Sequence, residues 1–342
     1  MSNILQSSIW AKFQESNGHK VFTGSGTGWS YMATLEGGKT GRYLYCPYGP
    51  VASSASAFDE AIAELTRVAR DNKCLFVRIE PTNDEIFEGT VPSAFLRARG
   101  YKISPRQVQP SHTQIIDLNQ DEEAILKDMK STNRNLHRNI HKKGVTFETS
   151  QNPADLDILL KFLDETAVRT GFNRQRDEYL KQVAKVLMPA DAATLYLAKV
   201  EDEPIGAAFV YDSDDTRTYA HAATSFEHRK LSAGIPLVTN LIVDAKAKGL
   251  KYVDLFGIAP NDDPNHEWAG FTKFKKSFGG QSVEFPGTWD VPVNATGYKA
   301  YTGVYAAKSK APVVKSKLMD AKAKALPVVK NTVAKVRAKV GK

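Results

Sequence analysis

The chain has 342 residues, 42% of them hydrophobic and 25% charged, with a formal net charge of +8; that length suits two domains of about 150 residues each. The charge is uneven: residues 306–342 hold 11 Lys and Arg against one acid, Asp320, so the body is nearly neutral and any polyanion or membrane preference resides in the tail. With two cysteines, Cys46 and Cys74, and no Cys/His cluster at zinc spacing, neither a disulfide framework nor a structural metal is indicated. The opening MSNILQSSIWAKF has no apolar core of signal-peptide length, and the most apolar window, 235–243, is interrupted by Thr239 and Asn240. The expectation is a cytosolic protein without a membrane span.

Ile4 to Glu15 suggests a short helix with Trp10 and Phe13 inward and Lys12 available, followed by alternating strands near Val21–Phe22, Trp29–Leu35 and Tyr43–Tyr45. CPYGPV then turns the chain. Phe58, Ile62, Leu65, Val68 and Ala69 share a helical face over 58–72, and LFVRI at 75–79 reads as a buried strand ending at Pro81. A helix from about Ser93 to Arg99 leads into the proline-rich connection 105–110, taken as the boundary into the second half.

The second half begins with a strand, Thr113 to Asp117, and a helix from Asp121. Lys127, Lys130, Arg134, Arg138 and Lys142 then recur at spacings of three or four, giving one cationic helical face or two adjoining short ones, which either meets phosphates or is simply solvated. His137 and His141 lie four apart, but cations surround them and no third metal ligand is near. Helices at 155–170 and 177–188 precede a sheet signal at 194–200, 205–211 and 217–223, then a helix at 233–248 and a buried strand at 252–256. This order repeats that of the first half and suits a mixed α/β acyltransferase fold used twice.

The stretch Asp254 to Gly280 concentrates the chemistry. Gly257 ends the strand, PNDDP at 260–264 is turn sequence, and a helix from about Glu267 to Ser277 carries Lys273, Lys275 and Lys276 among Trp268, Phe271, Phe274 and Phe278 before Gly279-Gly280 stops it. Cations beside aromatic rings at a strand mouth suit an anion or oxyanion, and an amphipathic helix with solvated lysines is the plainer alternative. At 228–234 a strand gives way to a helix where an acetyltransferase-like domain would hold a coenzyme A pyrophosphate, but Ser232 stands where the first glycine is wanted and reads as a helix cap. There is no Gly-x-Ser-x-Gly elbow, P-loop or dinucleotide fingerprint.

Several pieces together resemble the FemABX aminoacyltransferases, which extend the peptide bridges of bacterial peptidoglycan. They are Gln6-Ser7 with Trp10-Ala11-Lys12, Tyr48-Gly49-Pro50-Val51, Phe76 to Pro81, Met129-Lys130 with Arg134-Asn135 and Arg138, and Glu165-Thr166-Ala167 with Arg169 and Gly171-Phe172. Further on come Asp254 to Ile258, Trp268 to Phe271, Phe274-Lys275 and Phe278 to Gly280. The likeness runs to about Tyr305. It implies two acetyltransferase-like (GNAT) domains in tandem and transfer of an amino acid from aminoacyl-tRNA to an amine on a muramyl-pentapeptide precursor, lipid-linked or UDP-linked, with no other cofactor.

By that resemblance Lys275 supports the developing oxyanion or the tRNA's terminal phosphate, and Phe274 shapes the channel. Lys12, Arg174 and Arg176 would hold the precursor's diphosphate, with Gln175 standing where the family places a basic residue. Tyr179 and His221 belong either to the sugar or peptide channel or to the core. Lys130, Arg134 and Arg138 are candidates for tRNA contact. The chain resembles the compact members without a helical arm, and the basic tail, with Val329, Val333, Val336 and Val340 at helical spacing, is a candidate substitute that grips tRNA or lies on an anionic membrane.

The expected fold is therefore α/β, with mixed sheets of α+β type in two GNAT-like domains plus a basic helical tail. The first domain spans 1–110, completed by about 288–305; the second spans 111–287; the tail spans 306–342. The rival functions are a coenzyme A-dependent N-acyltransferase, disfavoured by Ser232, and a non-catalytic tRNA or envelope-surface binder, for which the tail is the motive.

Overall fold

The structure is a computed structural model, and residues 1–38, 41–171 and 173–307 are described. Most of the basic tail, with its four spaced valines, lies outside the described residues, as does Phe172.

The first half runs α1 (Ser8–Ser16), β1 (Val21–Gly26), β2 (Trp29–Gly38), β3 (Gly41–Cys46), β4 (Val51–Ala52), α2 (Ala55–Asp71), β5 (Phe76–Ile79), α3 (Pro92–Ala98) and β6 (Lys102–Ile103). Helix starts follow the hydroxyls. Ser7 accepts the Trp10 N–H at 3.2 Å and Ser54 accepts the Ala57 N–H at 3.2 Å, which is why α2 begins ahead of its first large apolar residue. That helix buries Phe58, Ile62, Leu65, Val68 and Ala69, the face its spacing predicts.

The second half runs β7 (His112–Asp117), α4 (Glu122–Asp128), α5 (Ser131–Asn139), β8 (Val145–Ser150), α6 (Leu156–Thr170), α7 (Asp177–Leu187), β9 (Ala193–Val200), β10 (Glu203–Asp212) and β11 (Thr216–Thr224). It continues through α8 (Gly234–Ala247), β12 (Tyr252–Gly257), α9 (Ala269–Lys276), β13 (Gln281–Glu284) and β14 (Trp289–Pro292), and a helix α10 (295–307) closes the described chain. The cationic segment is two short helices, broken at Met129–Lys130. Gly280 ends the α9 turn at φ 75°, where a Cβ would come within 2.1 Å of the Ile115 carbonyl oxygen, so only glycine lets β13 dock on β7 there.

Two seven-stranded mixed sheets result. In the first the order is β1-β2-β3-β5-β14-β6, with β4 paired to β2; in the second it is β13-β7-β12-β11-β10-β9-β8. Late in the chain, β14 returns to the first sheet between β5 and β6, with Asp290 opposite Arg78. Those two side chains form a buried bidentate pair at 2.8 and 3.0 Å. In the other direction α1 buries Trp10 and Phe13 in one core with α6, α7, β9 and β10. The halves are thus stitched together by both ends of the described chain.

Each sheet contains one parallel junction of the same design. β3 runs parallel to β5 over Leu44–Val77, Tyr45–Arg78 and Cys46–Ile79; β11 runs parallel to β12 over Thr216–Tyr252, Arg217–Val253 and Thr218–Asp254. Beyond Thr218 and Asp254 the second pair separates, with β11 continuing on β10 and β12 continuing on β7. Open α/β sheets bind ligands at the carboxyl ends of such strands.

Candidate functional site

The two junctions carry different chemistry. At the first, the loop after β3 folds back over the strand ends: Glu80 donates its N–H to the Gly49 carbonyl at 2.9 Å. The Glu80 carboxylate is buried and accepts from the Gln109 N–H (3.0 Å), the Thr288 hydroxyl (2.6 Å), the Tyr45 hydroxyl (2.7 Å) and, more weakly, the Tyr48 N–H (3.4 Å). Tyr48 in turn donates its hydroxyl to the Pro110 carbonyl at 2.9 Å. A carboxylate whose lone pairs are all engaged by neutral donors is a structural clamp.

At the second junction the strand end faces α9. Lys275 turns its ammonium off the surface and donates to the carbonyls of Gly257 (2.7 Å) and Phe256 (3.2 Å), leaving a third N–H without a partner among the described residues. Burial brings its pKa down to about 8, opposed by the charge of Asp254. At neutral pH it is a largely protonated, poorly solvated cation. Phe274 stands beside it, half-buried, with its ring edge-on to Phe278 at 5.1 Å. Of the three lysines on the helix, only Lys275 is turned to the strand end.

Lys273 and Lys276 take the other side of α9. With Lys130, Asp262, Asp263 and Thr272 they line an open cavity of about 550 Å³. Lys276 is bound to Asp262 at 2.5 Å, the Asp263 carboxylate accepts the Asn265 N–H, and His266 Nδ1 accepts the Trp268 N–H, so these acids and the histidine shape the loop. Lys130 therefore sits beside α9, whereas the other two tRNA candidates diverge from it. The Arg134 guanidinium folds back onto the carbonyls of Lys127 and Met129, closing the end of α4, and Arg138 projects exposed from α5. Arg134, a candidate for tRNA contact, thus also caps the end of α4 through one guanidinium nitrogen.

The residues assigned to the precursor's diphosphate separate in a similar way. Lys12 is exposed on α1 and Arg176 is exposed just ahead of α7. Arg174, assigned to the precursor's diphosphate, is bound to both Asp164 and Asp177 and anchors the α6–α7 connection. Tyr179 packs edge-on to Phe13 at 5.2 Å, and burial pushes its hydroxyl up to about 12. Burial brings His221 down to about 4, leaving it neutral, and its ring lies 6.1 Å from Tyr211. Tyr211, 5.8 Å from Trp10, has a buried hydroxyl with no hydrogen-bond partner among the described residues. Tyr179 and His221 thus flank one α1–α7–β11 corner whose least satisfied group is Tyr211, and Lys12 is exposed on α1. Sequence reasoning missed it because AAFVYD reads as ordinary strand.

Ser232 is corrected. It lies at φ 53°, in the left-handed region, and closes a short 3-10 turn; the residue at the start of α8 is Ala233, with no side-chain cap. Among the described residues no group of three or more His, Cys, Asp or Glu side chains is placed to hold a metal, and no helix is long and apolar enough to cross a membrane.

A tandem pair of acetyltransferase-type domains with an open junction in the second defines an acyltransferase-class fold. A family model described as an acetyltransferase (GNAT) domain matches residues 127–268. The crystal structure of FemX superposes with a TM-score of 0.78 at 18% identity, covering 87% of this chain and 94% of that one, and L-PGS from Bacillus licheniformis superposes at 0.55 and 13%, covering 90% and 97%. Among sequences, the lipid II:glycine glycyltransferase of Staphylococcus saprophyticus is 26% identical over 160 residues, which is 45% of this chain and 38% of that protein. The protein of the same name from Staphylococcus haemolyticus is 23% identical over 285 residues, 70% of this chain and 67% of that one. The match thus spans well under half the length of the first of these relatives. The chain thus shares the fold of FemX and is similar in sequence to the lipid II:glycine glycyltransferases.

Proposed function

We propose that the protein moves an aminoacyl group from aminoacyl-tRNA to an amine of a peptidoglycan precursor stem peptide, building the interpeptide bridge. The observation that carries this reading is the half-buried, carbonyl-held ammonium of Lys275 at the open second junction. The acceptor amine attacks the donor's ester carbonyl, the C–N bond forms, and the carbonyl oxygen becomes an oxyanion. Collapse breaks the ester C–O bond and returns a proton from the amine to the departing ribose hydroxyl. Lys275 has one N–H to offer that oxyanion, and in a poorly solvated site the charge interaction is stronger than in water. Phe274 and Phe278 form the apolar wall beside it.

The acceptor is a muramyl pentapeptide carried on lipid or on UDP, and the names of the staphylococcal relatives favour the lipid-linked form. Lys12 and Arg176, exposed and unmatched by any ion pair among the described residues, are the cations for its diphosphate, with Tyr179 and His221 at the adjoining corner. Lys130, Arg138 and the basic tail are the candidates for tRNA or anionic membrane, which would hold the protein peripherally at the cytoplasmic face. No cofactor beyond the charged tRNA is required.

One observation favours a second reading, acyl transfer from coenzyme A: the start of α8 has no side-chain cap and lies beside the open junction, as a phosphate-binding helix start does. The purified chain should be supplied with a full set of charged tRNAs, or with acetyl-coenzyme A, and with soluble and lipid-linked muramyl pentapeptide. Transfer from tRNA is expected. Acylation from coenzyme A alone would establish the second reading, and precursor binding without any transfer would leave a non-catalytic binder.

A further inference from the structure

Asp254 lies mid-strand in β12 and is 2% exposed, an unfavourable place for a carboxylate unless it is engaged. Its partners are close at hand. The Thr113 hydroxyl on β7 and the backbone N–H of Phe256, at 2.7 Å, both donate to Oδ1. The second of these bonds closes a two-residue turn within the strand and coincides with a break in the β12–β7 register between Asp254 and Gly257. Phe256 is held there at φ 65°, a left-handed conformation that an aromatic residue adopts only under constraint. As a result both the Phe256 and the Gly257 carbonyls reach the ammonium of Lys275.

The geometry points to Asp254 as the positioning residue for Lys275: it holds the left-handed turn that aims two backbone carbonyls at the ammonium, and its carboxylate is the counter-charge that steadies that ammonium in the interior. This rests on the reading of Lys275 as the oxyanion-binding cation. The surrounding groups leave Asp254 to act alone. β7 contributes the neutral Thr113, and the first half contributes Tyr48, whose phenol is kept protonated by burial and by the charges of Asp254 and Glu80. On α9 itself Lys273 and Lys276 line the cavity on the other side, the latter bound to Asp262. Burial raises the Asp254 pKa, opposed by the bonds from Thr113 and the Phe256 N–H and by the Lys275 charge, and Asp254 is the one charge acting appreciably on Lys275 among the described residues.

The test separates shape from charge. Asp254→Asn keeps an oxygen for the Phe256 N–H and removes the negative charge, whereas Asp254→Ala removes both. The Lys275 titration is read in the full chain by 13C NMR of labelled lysine, with the resonance assigned by its loss in Lys275→Arg. Asp254→Asn is expected to lower the Lys275 midpoint by about one pH unit from the wild-type value and to move the alkaline limb of transfer with it, a loss of about tenfold on that limb with little change at pH 6.5. Asp254→Ala should lower the rate at every pH. Should Asp254→Asn not fold, Thr113→Val, which weakens the carboxylate's support, is expected to shift the midpoint the same way by less. An unmoved midpoint in the folded variant overturns the inference. Because the midpoint is read without turnover, a shifted midpoint in a protein that transfers nothing removes the functional reading alone, and normal transfer with an unmoved midpoint removes this one alone.

Discussion

The two parallel junctions share a strand pattern, each with three paired positions and a buried acid close by, yet they use that acid in opposite ways. Glu80 meets only neutral donors and binds the Tyr48 loop, the 105–110 connection and Thr288 into one block. Asp254 supports a turn and acts through its charge on a cation. Repetition of a fold therefore need not repeat its local structure: the first copy closes its strand ends with its own backbone, and in the second the paired strands separate beyond Thr218 and Asp254.

The contrast is most sharply broken at the first junction. Arg78→Ala should destabilise the protein by about 3–5 kcal/mol in chemical denaturation, since it strands the buried Asp290 carboxylate; replacing both residues by apolar ones should recover most of the loss. If lesions here abolish transfer while stability holds, the first junction is not mere scaffold. At the second junction Lys275→Met should cost about 100- to 1000-fold in transfer, or about 3–4 kcal/mol of transition-state stabilisation, while thermal denaturation shows unchanged or slightly raised stability because a buried charge has gone.

A smaller effect tests the α1–α7–β11 corner. His221 titrates at its ordinary 6.5 in the unfolded chain and at about 4 when folded, so between those values the unfolded state binds the extra proton. Stability should be complete above pH 6.5 and fall by about 1–2 kcal/mol as the pH drops through that window. Equilibrium unfolding at pH 7 and pH 4.5 checks this, and His221→Gln should flatten the difference. The smallest effect belongs to Arg174→Ala, expected within about 1 kcal/mol because its partners are exposed acids. A large loss of precursor affinity in that variant, against none in Arg176→Ala, would make Arg174 rather than Arg176 the diphosphate ligand.

Much of this was legible in the sequence. The α2 face, the PNDDP turn, the Gly279-Gly280 stop and the cationic α9 all announce themselves locally, and α9 carries the lysine that turns to the strand end. What stayed hidden depended on distant partners. Nothing in WDVP says that Asp290 will lie opposite Arg78, and nothing in α1 says that Trp10 and Phe13 will enter the core of the second half. Helical spacing showed Arg134 on a cationic face but not that its long side chain would turn back to the end of α4. Ser232 looked like a cap by residue type, and its left-handed backbone moved the helix start one residue on. Asp254 did leave a trace, as an acid in the middle of a buried strand, and such a misfit is where function can be sought.

The central claim is that a protonated Lys275 at the second junction stabilises the oxyanion of aminoacyl transfer. It is tested most directly by the rate of transfer from charged tRNA to lipid-linked muramyl pentapeptide between pH 6 and 9.5, for the wild type and for Lys275→Arg. With Lys275 as the cation, the wild-type rate falls above about pH 8, and the arginine variant, slower throughout, loses that alkaline limb because its charge persists. An alkaline limb retained unchanged in the arginine variant, or full activity in Lys275→Met, would contradict it.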